Sequence, residues 1–183
     1  MKKIYLLFVA LASVAFFSCK DNRAMEPEVV TVDHESEESE VYAVKAGDAK
    51  FKDDAVAAVF NQYIVLQTAL INTDGETAQK EAENLSQTIE DSELDSEGEM
   101  DEVLETMSAT SDVKVQREQF ETLNDWMESK VEGALESGTI YKQYCPMAFN
   151  DQGAYWLSTN KEVLNPYFGD VMLHCGRVDS EIK

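Results

Sequence analysis

Five side chains near the end of the chain are of types that suit one kind of chemistry. Cys145 and Met147 stand in Tyr-Cys-Pro-Met-Ala, and Met172, His174 and Cys175 in Met-Leu-His-Cys-Gly. Thiolate and thioether sulfur, with an optional imidazole, is the donor set that selects Cu(I) over hard cations. If Cys145 to Met147 is extended, both side chains fall on one face, because strand residues alternate. Met172 and Cys175 share no face of a regular strand. They need a bend, from Gly176 or a bulge.

The same residues allow other chemistry. Outside the cytoplasm, two cysteines 30 positions apart are commonly bridged. Such a bridge would contribute roughly 3 to 4 kcal/mol on the loop-entropy model. A bridge and a metal site exclude each other in one molecule, although redox state could interconvert them. Two inert thiols are the third possibility. Cys145 could also act as a nucleophile with His174 as its base, a pairing that lowers a thiol pKa. The sequence supplies no orienting group or oxyanion donors for it, and Ser158 has no identifiable His and acid partners. The expectation is therefore no enzyme, no catalytic residues, and no cofactor beyond Cu(I) or Ag(I).

Positioning these donors falls to a tail, residues 139–183, read as a small β-containing C-terminal cap. Thr139 to Tyr144, Ala154 to Ser158 and Asp170 to His174 suit short strands. Asn165-Pro166 and Phe168-Gly169-Asp170 suit turns, since Pro presets φ and Gly accepts positive φ. Trp156, Tyr155, Tyr167 and Phe168 would supply the cap's own core, because aromatics bring the largest buried area. Arg117 is expected to pair with a carboxylate.

Ahead of the tail, residues 48–138 carry the period of helices. Val56, Val59, Phe60, Tyr63, Leu66 and Leu70 recur at three- and four-residue steps until Asp74-Gly75. Ala78, Ala82, Leu85 and Ile89 mark a second helix. Ser96 with Glu99 resembles a capping box before a short third helix with Met100, Val103, Leu104 and Met107. The fourth carries Phe120, Leu123, Met127, Val131 and Ala134 and is expected to end near Gly138. The fold class expected is mainly α: an antiparallel four-helix bundle with the cap packed on it as one globular unit. Methionines 100, 107 and 127 read as core fillers. The segment shows no repeat, glycine-rich phosphate loop or zinc-hydrolase motif.

Residues 1–18 have the pattern of a lipoprotein signal peptide: Lys2 and Lys3, an apolar run from Ile4 to Phe17, then Ser18 before Cys19. The run is shorter than the roughly 20 residues of a spanning helix. Cys19 would be the lipidated first residue of the mature protein, giving an extracytoplasmic, membrane-anchored lipoprotein facing the periplasm or the cell surface. Residues 19–47 read as an acidic, disordered tether. Seven acids and no Lys or Arg lie between Ala24 and Val44, and His34 among them lacks rigid neighbours for a metal. The whole chain has 15 basic and 36 acidic residues. Without the leader it keeps 13 basic against 36 acidic, a net charge of −23. Such a surface repels nucleic acid.

The tail resembles a domain of unknown function found in extracytoplasmic lipoproteins of Gram-negative bacteria. It is similar to the C-terminal module of some periplasmic adaptor subunits of copper/silver efflux pumps. The resemblance rests on Tyr144-Cys145-Pro146-Met147-Ala148, Trp156-Leu157-Ser158, Asn165-Pro166-Tyr167-Phe168-Gly169-Asp170, and Met172 with Cys175-Gly176. Weaker matches lie at Gln116-Arg117-Glu118 with Phe120, and at Tyr63 through Leu70 with Asp74. His174 departs from the pattern, where Thr often stands. The resemblance implies copper handling, with copper/silver efflux components as partners.

Overall fold

A computed structural model describes residues 41–183 apart from residue 46. The leader, Cys19, His34 and all but the last part of the tether lie outside the described residues. The fold is mainly α with a β part. Four helices come first: α1 (Asp54–Ile71), α2 (Gly75–Ser92), α3 (Asp101–Ser108) and α4 (Val113–Val131). Preceding them, β1 (Lys50–Phe51) pairs antiparallel with β2 (Leu135–Ser137). The tail forms a second sheet of β3 (Ile140–Cys145), β4 (Ala154–Ser158) and β5 (Arg177–Ile182), with β3 central and both neighbours antiparallel to it.

The helices follow from the apolar period and from acidic caps. Asp53, Asp74 and Asp112 each accept a backbone N–H of the first turn of α1, α2 and α4. Val59, Tyr63, Leu66 and Leu70 of α1 are fully buried, facing Ala78, Ala82 and Leu85 of α2 and Phe120, Leu123 and Met127 of α4. Met100 and Met107 are buried in the same core. By length and composition α1 could span a bilayer, but half of it is buried inside the protein. One continuous core runs from these helices into Ile140, Cys145, Trp156 and Tyr167 of the tail.

Three local expectations are corrected. The fourth helix stops at Val131, because Gly133 takes a φ of +72°, and Leu135 then enters β2. Ser96 caps nothing. Asp95 instead accepts the N–H groups of Glu99 and Met100, at 3.0 and 2.7 Å, and Met100 is the N-cap of α3 without a side-chain bond. The segment Asp170 to His174 is no strand. Gly169–Met172 is a 3₁₀ turn, and the third strand is the polar β5.

The described end of the tether is held against the domain. Asn72 grips the backbone of Tyr42 from both sides, accepting its N–H at 2.8 Å and donating to its carbonyl at 2.7 Å. Tyr42 and Val44 pack on a small apolar cluster of Ile71, Leu164 and Leu173. Lys45 pairs with Glu162 at 2.8 Å, and its carbonyl accepts the Thr159 hydroxyl. Apolar side chains with backbone partners within reach tie these residues down, whereas acidity dominates the segment before them.

Candidate functional site

The structure brings Cys145 and Cys175 together. Cys145 closes β3 opposite Ala154 and is fully buried; Cys175 is half-buried. Both are free thiols, with their sulfurs 3.3 Å apart. That spacing lies between two bonded states. A disulfide needs about 2.05 Å. Two sulfurs on a tetrahedral metal ion with bonds of about 2.3 Å stand about 3.8 Å apart. The pair is thus within about 1.3 Å of a bridge and about 0.5 Å of a metal clasp.

Asn165 positions Cys175. Its buried side chain donates to the Cys175 carbonyl at 2.7 Å and accepts from the N–H groups of Tyr167 and Phe168 at 2.8 and 3.2 Å. Its own N–H donates to the Leu173 carbonyl at 2.8 Å. One residue therefore folds the Asn-Pro-Tyr-Phe turn and docks the cysteine strand end onto it. Tyr167, from the same turn, donates to the Tyr155 carbonyl at 2.5 Å and ties the turn to β4. The expectation that Asn165 is a turn former is met, but its hold on Cys175 had no signal beyond Asn-Pro.

Arg117 anchors the turn to the helices, and not through a carboxylate pair as expected. Its Nε donates to the Pro166 carbonyl at 2.7 Å, and Nη2 donates to the Leu70 carbonyl at 2.9 Å and to Thr73 Oγ1 at 3.1 Å. The guanidinium thereby caps the C-terminal end of α1. Thr73 in turn donates to Asp170 at 3.3 Å. Burial pulls the guanidinium pKa below its usual value, and the Asp170 charge partly restores it. Gly169, at φ +59°, is required here: a Cβ would lie 2.3 Å from Thr73 Oγ1 and 2.8 Å from Arg117 Nη2.

The other expected donors are divided. Met147 and Met172 line one pocket, but Met147 is exposed while Cys145 is buried, so the two do not share a face. The chain leaves β3 at Pro146 and enters a left-handed turn in which Phe149, Asn150 and Asp151 have φ of 50, 58 and 66°. For Phe149 this costs roughly 1–2 kcal/mol, whereas Asn and Asp enter the left-handed region more readily. The bend that separates Met172 from Cys175 is the 3₁₀ turn, whose Met172 carbonyl accepts the Cys175 N–H at 3.0 Å. Exposed His174 donates from Nδ1 to the Val163 carbonyl at 2.8 Å and lies near the Glu162 carboxylate. Among the described residues no three His, Cys, Asp or Glu side chains group closely enough to hold a metal. His174 therefore does not complete a cluster with the two cysteines.

Burial raises the Cys175 thiol pKa, and its contact with Cys145 raises it further. A metal would have to displace protons from this pair, so affinity would rise with pH. Among the described residues the hydrogen-bond contact of each sulfur is with the other. What the pair can do is close a bridge or clasp one soft ion.

Residues 59–138 match the model of a family described as a protein of unknown function (DUF3347). The match covers most of α1, all of α2 to α4, and β2. It ends before Ile140, so the tail motifs lie outside it. No curated protein and no solved structure matches the chain.

Proposed function

We propose that this chain is a lipoprotein, anchored outside the cytoplasm through Cys19, whose Cys145–Cys175 pair holds or passes Cu(I) or Ag(I) in metal efflux or homeostasis. The supporting observation is the 3.3 Å contact between two free sulfurs. Two thiolates suit a soft monovalent ion, and Met147 and Met172, which line a pocket that neither cysteine lines, are the candidate auxiliary thioethers. His174 has a supporting role at most: Val163 holds its Nδ1–H and leaves Nε2 open, but among the described residues it forms no three-residue cluster with the cysteines. Copper/silver efflux components are the partners this role calls for, and no catalytic residue is assigned. The finer architecture we read is an antiparallel four-helix bundle, supported by contacts of α1 with α2 and α4 and of α3 with α2 and α4.

A second reading has its own support. The raised pKa of Cys175 disfavours its thiolate and suits a structural bridge. The protein would then be an interaction module of the cell envelope. Thiol counting on protein purified without reductant, followed by Cu(I) competition titration after gentle reduction, separates the two. Metal handling requires one Cu(I) bound far more tightly than Zn(II) or Ni(II), with the tight site lost in Cys145→Ser and in Cys175→Ser. Absent thiols, and no Cu(I) uptake after reduction, establish the bridge.

A further inference from the structure

A pocket of about 530 Å³ opens between the start of α4 and the turn that follows β3. Phe149, Phe168, Met147 and Met172 give it an apolar lining, and Lys114 and Arg117 give it positive charge. The two cations stand one turn apart on α4. Among the described residues neither makes an ion pair. Arg117 spends Nε and Nη2 on backbone and hydroxyl oxygens, while Nη1 makes no hydrogen bond among the described residues. Glu118 also reaches the lining, leaving two cations against one carboxylate.

That balance is unusual on this protein, which carries a net charge of −21. A second large pocket is edged by Asp74 and Asp170, and another by Glu90, Glu93, Asp95 and Asp101. Lys45, in a further one, is already paired with Glu162. An anion is repelled from the acidic pockets and meets unspent positive charge in this one. The wall formed by Phe149 and Asn150 belongs to the left-handed turn, and backbone strain of this kind concentrates at ligand clamps. The volume lies within the range of about 300–1,000 Å³ typical of small-molecule sites.

We propose that this pocket binds a small organic carboxylate with an apolar body of about the size of one aromatic ring. The ring packs on Phe149, Phe168 and the two thioethers, since sulfur at a ring edge is a favourable contact. The carboxylate is held by Lys114 and by the N–H groups of Arg117 Nη1, through charge-assisted hydrogen bonds. Neither cysteine takes part, but the pocket shares Met147 and Met172 with the proposed metal site, so the two are separated by testing the metal-free protein.

The test uses the full chain, metal-free, with ¹³C-methyl-labelled methionine. Titration with 3-phenylpropionate should move the Met147 and Met172 methyl resonances saturably. The isosteric 3-phenylpropanamide should bind at least tenfold more weakly. Lys114 is exposed on α4, so Lys114→Glu tests the charge without disturbing the core. It should cost at least tenfold, with Lys114→Arg close to the parent. Absence of a saturable shift, equal binding of acid and amide, or unchanged binding in Lys114→Glu would each overturn the site.

Discussion

The helices and the tail are held together by different means. In α1 to α4 most of the buried side chains are apolar and add similar increments: Val59, Leu66 and Leu123 contribute area to a shared core, with Gln67, Gln116 and Asn124 as the buried polar exceptions. In the tail, single polar groups carry several connections each. Asn165 makes three side-chain hydrogen bonds, Arg117 joins Pro166 to α1, and Gln143 donates from a buried position to the carbonyls of Asn160 and Glu162. Distributed burial tolerates change of shape, because neighbours repack. A shared polar group does not, because its loss strands several partners at once. The sulfur pair stands on the intolerant side of this division.

The comparison can be broken most directly at Asn165. Asn165→Asp keeps size and shape but replaces the donor facing the Cys175 carbonyl with an acceptor. It should cost about 3 kcal/mol in denaturant unfolding and speed alkylation of Cys175 as the strand end loosens. A cost no greater than that of a core swap would show that the tail is not held this way.

Arg117→Lys retains the charge and loses the planar fork, so it should cost about 2 kcal/mol. Hydrogen exchange at the 3₁₀ turn should rise more than exchange in α2. Equal changes in both would mean that Arg117 serves the helices and the turn alike.

In the helices the matching swap is Leu66→Met, at a fully buried position. It should cost less than about 1.5 kcal/mol, with the sulfur contact unaffected as judged by alkylation rate. A larger loss would make the core as exacting as the tail.

The smallest effect sharpens the role of the caps. Asp74 accepts the Thr77 N–H at 3.0 Å and the Thr77 hydroxyl at 2.6 Å, which hold its carboxyl below the usual value of 3.8. Asp74→Ala should cost about 1 kcal/mol at neutral pH. Because the folded pKa is the depressed one, this contribution is fully present above pH 3.8 and fades as pH falls through the folded value. Unfolding curves of parent and variant should therefore converge in acid.

The helical half was legible because its signal is repeated. Val56, Val59, Phe60, Tyr63, Leu66 and Leu70 declare one face six times over, and tertiary packing agreed with it. Cys145 and Cys175 lie 3.3 Å apart, a proximity that both the bridge and the metal reading require. Met147 and His174 were harder, since a left-handed turn and a bond to Val163 send them elsewhere, and no residue type announces either. The strand at Arg177–Ile182 was hidden by its polarity. It is an edge strand whose place depends on backbone pairing to β3 rather than on burial.

Residues 41–45 and 47–51 lie across the domain as a strap, and this bears on how it would respond to a pull from its N-terminal side. Load arriving at Tyr42 falls first on the two hydrogen bonds from Asn72, then on Lys45 with Glu162 and Thr159, and only then on the β1–β2 pairing. These attachments lie in series along the chain, so under load they would be expected to release one after another and lengthen the linker before α1 is stressed. The first stage, Tyr42 and Val44 on Leu164 and Leu173, borders the turn that Asn165 builds around Cys175.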